Sequence, residues 1–102
     1  MKKIVSNVIL AGLLSVSGCA IAGDAAAGKG VAARCMACHG VNGEGNAAMV
    51  APKLAGQIEV YLVNSLKAYK SGARSNPLMS PMAKPLSDTD IANVAAHYAS
   101  LK

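Results

Sequence analysis

The chain has 102 residues, 53% of them apolar but only 3% aromatic, with three Tyr, three Cys, and neither Trp nor Phe. Its formal net charge is +5, but the ten Lys and Arg are scattered rather than run together, so no nucleic-acid track is evident. There is room for one domain, and a chain this small commonly needs a metal, a cofactor or disulfides, because a small body buries a smaller fraction of its surface.

Residues 1–22 read as an export segment: Lys2 and Lys3 precede an apolar run from Ile4 to Val16. Ala20-Ile21-Ala22 offers small residues for cleavage before Gly23, which leaves 23–102 as the folded domain. In the other reading, Val16-Ser17-Gly18-Cys19 resembles a bacterial lipoprotein box, with 1–18 as the signal and Cys19 as a lipidated first residue. That reading gives the third cysteine a role. In either case Lys2 and Lys3 leave, and the net charge falls by two to +3.

The first predicted helix runs through the alanine-rich stretch from Asp24 to Cys38, capped by Asp24, with Val31, Cys35 and Cys38 on one face. From His39 to Gly56, repeated Gly, Asn and Pro predict a loop. A second helix follows from the spacing of Ile58, Tyr61, Leu62, Ser65, Leu66 and Tyr69, with Gly72 as its stop. Ala73 to Leu86 reads as a second loop, because it contains Asn76-Pro77, Ser80-Pro81 and Lys84-Pro85. Ser87 opens the last helix with Asp88 and Asp90 in its first turn, placing Ile91, Val94, Ala95, Tyr98 and Leu101 on one face. No segment reads as a strand. The expected fold is all-α: about three main helices, with long loops that must wrap a rigid group able to supply the missing bulk.

Cys35-Met36-Ala37-Cys38-His39 is a C-x-x-C-H motif, the spacing of covalent c-type haem attachment. Two thiols three positions apart can add to the two vinyl groups of one porphyrin edge, and the next residue presents its imidazole to the iron. A thioredoxin-like dithiol would need a βαβ pattern, which is not visible. A zinc site would need adjacent Cys38 and His39 to converge on one ion, and no second ligand pair lies at finger spacing. A plain disulfide leaves His39 and the proline-methionine loop unexplained.

A haem iron used for electron transfer usually has both axial positions filled. Met36 lies inside the motif and cannot reach the far face, and Met49 reads as soft packing. Met79 and Met82 sit in the second loop, between the last two helices, where a ligand for the far face must originate. His97 falls off the apolar face of the last helix and reads as a surface residue; a bis-His site is the runner-up.

The run Gly23-Asp24-Ala25-Ala26-Ala27-Gly28-Lys29, the motif with Gly40 after it, Pro52-Lys53-Leu54-Ala55-Gly56-Gln57, Met79-x-x-Met82 and Leu86-Ser87-Asp88 together resemble the class I c-type cytochromes of proteobacterial periplasms. The resemblance covers the whole segment after residue 22, and is greatest to small monohaem carriers and to one half of dihaem, two-domain relatives. It implies a cytochrome c fold around one covalent haem c, with Cys35 and Cys38 as attachment points and His39 and Met79 as axial ligands. Met79 matches the family's ligand, eight residues before the serine that opens the last helix, while Met82 matches a methionine that does not ligate. It also implies that the Pro52 carbonyl accepts a hydrogen bond from the His39 ring, and that small residues of the first helix let the last helix cross closely near Tyr98.

The function so implied is one-electron transfer in the periplasm with no substrate transformed, so the chain is expected not to be an enzyme. Expected partners are a membrane oxidoreductase and a terminal oxidase, peroxidase or reductase of a respiratory chain, met as a monomer, with membrane contact only through a lipid on Cys19. The alternatives are a haem-based gas-binding or sensing module and the electron-entry subunit of a larger oxidoreductase.

Overall fold

A computed structural model describes residues 23–101; residues 1–22, which the sequence reading takes as an export segment and which include Cys19, lie outside the described residues. Among the described residues five α-helices follow one another: α1 Ala25–Ala32, α2 Met36–His39, α3 Glu59–Ser71, α4 Met79–Ala83 and α5 Asp88–Ser100, with a 3₁₀ turn at Ala47–Met49. Among the described residues there is no strand, only an isolated bridge between Asn46 and Ala51. The all-α fold with long loops is therefore present. Among the described residues, no helix is long and apolar enough to cross a membrane.

Capping defines the outer helices. Asp24 Oδ1 accepts from the N–H groups of Ala26 and Ala27 at 2.9 and 3.2 Å, satisfying donors that the first turn of α1 leaves free. Ser87 and Asp90 form a reciprocal capping box on α5, at 3.0 and 3.1 Å. α3 ends on Gly72 in the left-handed region, as its sequence predicts.

α1 and α5 cross with almost no space between them. A Cβ built on Gly28 would lie 1.8 Å from the Asn93 carbonyl oxygen, so only glycine allows this approach. The Asp24 N–H donates to Asn93 Oδ1 at 2.8 Å and fixes the start of α1 to the same turn of α5. Ala32, Leu62, Val94, Ala95 and Tyr98 make the buried cluster beneath the crossing. The first loop is fastened to α5: the Gly56 N–H donates to the Tyr98 carbonyl at 2.9 Å. Gly43, at φ 69°, leaves room for the Tyr98 ring, which a Cβ there would meet at 2.8 Å.

Three sequence expectations are corrected. The predicted first helix, Asp24 to Cys38, is broken after Ala32: Ala33, Arg34 and Cys35 donate to Gly30, Val31 and Ala32, an i to i−3 pattern that tightens the turn before α2 begins. The second loop is not wholly irregular, since α4 forms within it. Pro81 is the third helical residue, where a missing N–H removes no intrahelical bond. His97 is not on the surface; at 8% exposure it packs against Gly28 of α1, its ring centroid 5.0 Å from that of Tyr98.

Candidate functional site

α2 to α5 and both loops enclose a cavity of about 510 Å³, within the size range of small-molecule and cofactor sites. One wall is the motif itself, Cys35, Cys38 and His39. Pro52 and Leu54 of the first loop adjoin it, and Tyr61, Leu62, Ser65, Leu66 and Tyr69 of α3 form another wall. The helical period of α3 that the sequence displays is thus largely the lining of a cavity rather than a face against protein. Met79 and Met82 line it from α4, and Val94, Ala95 and Tyr98 from α5. Met49 lines it too, whereas His97 does not.

His39 is 6% exposed, and its Nδ1 lies 2.8 Å from the Pro52 carbonyl oxygen. A carbonyl only accepts, so Nδ1 carries a hydrogen. In the tautomer with that hydrogen on Nδ1 the lone pair is on Nε2, the donor nitrogen a metal ligand requires. The adjacent backbone is also tied down, since the Gly45 N–H donates to the His39 carbonyl at 2.7 Å.

Cys35 and Cys38 are both free thiols. Burial pushes the Cys35 pKa up, against weaker downward pulls from the Tyr98 hydroxyl and the Arg34 charge. A thiol kept protonated at neutral pH is unlike the low-pKa nucleophile of a disulfide exchanger. Among the described residues, no group of three or more His, Cys, Asp or Glu is arranged to hold a metal ion.

The residues fit a haem. The walls are apolar, the chain lacks Phe and Trp to fill the space, and two thiols, a lone-pair imidazole and thioether sulfurs all border it. Arg34 and Arg74 add positive charge suited to haem carboxylates, with the Arg74 guanidinium 4.5 Å from the Tyr69 ring centroid. The buried Tyr98 hydroxyl, at the cavity wall, has no hydrogen-bond partner within the protein. Tyr61, Ser65, Tyr69 and Asn76 were not singled out as site residues by the sequence. For α3 the signal was the period itself, which does not tell a cofactor wall from a protein contact.

These features define a c-type haem protein. The family model for cytochrome c matches residues 25–102, and the chain belongs to the cytochrome c family. It is similar to cytochrome c-554(548) of Halomonas halodenitrificans, 51% identical over 82 residues, covering 78% of this chain and 98% of that protein. It is 49% identical over 71 residues to a thiosulfate dehydrogenase electron acceptor of Thiomonas intermedia, covering 70% of this chain and 33% of that one. Among solved structures, reduced cytochrome c4 from Pseudomonas stutzeri superposes with a TM-score of 0.74 at 44% identity, covering 79% of this chain and 47% of that chain. The chain thus spans nearly all of one relative and about half or less of the others. Members of the family carry covalent c-type haem, and their activity is electron transfer.

Proposed function

We propose that residues 23–102 form a periplasmic one-electron carrier that is not an enzyme, in which Cys35 and Cys38 attach the haem and His39 and Met79 hold its iron. Residues 1–22 are read as the signal, or 1–18 with Cys19 lipidated and the carrier held at the membrane. The carrying observation is that one apolar cavity brings together Cys35, Cys38 and His39 of the motif and the two methionines of α4.

The haem supplies a reversible one-electron couple. The chain's residues determine how that couple behaves. The Pro52 carbonyl fixes the His39 ring through Nδ1 and makes Nε2 a better donor. Met79 would supply a neutral thioether and His39 an imidazole, a pair that favours the reduced state and so a higher potential. Leu54, Leu62, Leu66 and Val94 exclude water, so little solvent reorganises when the charge changes. Arg34 and Arg74 at the cavity, and the basic balance of the chain, favour encounter with acidic partner surfaces.

A membrane oxidoreductase and a terminal oxidase, peroxidase or reductase are the partner classes proposed. The name of the Thiomonas relative favours a second reading, in which the chain receives electrons directly from a dehydrogenase. The gas-sensing alternative differs in having an open iron position. Exposure of the reduced holoprotein to carbon monoxide separates the two: a carrier keeps its spectrum and cycles reversibly in a redox titration. Rapid carbon monoxide binding at neutral pH would contradict it.

A further inference from the structure

Met79 is the first residue of a helix of five residues, far too short to be stable alone. Packing holds this segment weakly: Leu78 and Met82 are 58% and 37% exposed, and within α4 only Ala83 is buried. Its far end is secured, since the Leu86 N–H donates to the Ala83 carbonyl and the Lys70 ammonium donates to the carbonyl of buried Leu86. Its near end is held by hydrogen bonds from a single residue.

Asn76 Oδ1 accepts from the N–H groups of both Leu78 and Met79, each at 2.9 Å. The Asn76 N–H donates to Ser80 Oγ at 3.0 Å, and the Ser80 N–H returns a bond to the Asn76 carbonyl at 3.0 Å. Pro77 lies inside this loop of four bonds, with φ fixed and no N–H to satisfy. The backbone of Met79 is thus attached directly to the Asn76 side chain.

We propose that Asn76 is the positioning residue for the sixth iron ligand: its Oδ1 holds the Met79 backbone where the thioether can remain on the iron. The inference rests on the reading of Met79 as that ligand. Without the acceptor the first turn of α4 loses two bonds, and an opening that carries Met79 out of the cavity becomes more populated. An added ligand then takes the vacated position more easily.

Imidazole titration of the ferric holoprotein tests this, following loss of the far-red sulfur-to-iron absorption band. Asn76→Ala should raise the apparent imidazole affinity about five-fold or more, the population change expected for a lost side-chain cap. Asn76→Asp keeps the acceptor and should stay within about two-fold of wild type. Asp24→Ala removes a cap of the same chemistry from α1 and should leave the affinity unchanged, while Met79→Ala should lack the band altogether. An unchanged affinity in Asn76→Ala, an equal rise in Asp24→Ala, or failure of Asn76→Asp to restore wild-type behaviour would overturn the positioning role and leave the Met79 reading standing. A far-red band that survives Met79→Ala would overturn that reading, and the role of Asn76 with it.

Discussion

Gly28 and Gly30 lie two residues apart in α1, and alanine at these positions should act with opposite sign. Alanine in place of a helical glycine gains about 0.5–1 kcal/mol from backbone entropy alone. At Gly30 nothing lies within 4 Å of the new Cβ, so Gly30→Ala should realise that gain. At Gly28 the Cβ would lie 1.8 Å from the Asn93 carbonyl oxygen and 3.0 Å from the His97 Cβ, against an ordinary contact of 3.4 Å or more. The α1–α5 crossing would have to open by roughly 1.5 Å, and the obstacle is backbone, which cannot turn aside. Overpacking costs about 1–3 kcal/mol, and an overlap this large against backbone belongs at the upper end. Set against the entropic gain, Gly28→Ala should be destabilising by about 2 kcal/mol net, a fall of roughly 8–16 °C in Tm for a domain this size. Thermal or urea unfolding of the two holoproteins, followed by helix circular dichroism, provides the comparison. Equal shifts of the same sign would refute the close crossing as the reason for glycine at 28.

Burial holds the Tyr98 phenol well above its ordinary pKa. A raised folded-state pKa means full stability below about pH 10, lost as pH rises toward the folded value, at roughly 1.4 kcal/mol per pH unit. Urea unfolding at several alkaline pH values should show this slope in wild type and a shallower one in Tyr98→Phe; parallel slopes would contradict it. Ser87→Ala removes one half of the capping box on α5 and should cost about 1 kcal/mol in urea unfolding, with Ser87→Asp recovering most of the loss. Met82→Ala should retain the far-red band of the ferric holoprotein, because Met79 is assigned the iron; loss of the band would transfer that role to Met82.

Local signals made the last two long helices legible. Ser87, Asp88 and Asp90 mark the start of α5, and Gly72 marks the end of α3 at the residue where the helix stops. The C-x-x-C-H motif made one wall of the site legible, because five consecutive residues carry its whole chemistry. The rest depends on contacts the sequence does not display. Ala32, Ala33 and Arg34 are all good helix formers and give no sign that the helix tightens there. The prolines of the second loop hid α4, since Pro81 breaks a helix in its interior but not at its third residue. His97 is buried because Gly28, distant in the chain, admits α5 so closely, a tertiary effect that no local period reveals. Asn76 stood out only as part of a turn dipeptide, although an Asn three residues before a helical Met is also the spacing of a cap.

Everything proposed for this protein depends on a covalent haem held by His39 and Met79. Its most direct test is the absorption spectrum, oxidised and reduced, of holoprotein made in a host that matures c-type haem, alongside Met79→Ala. The haem should survive acid and solvent extraction, and a far-red sulfur-to-iron band should be present in the ferric wild type and absent from the variant. Haem that extracts freely, or a band that persists without Met79, would contradict it.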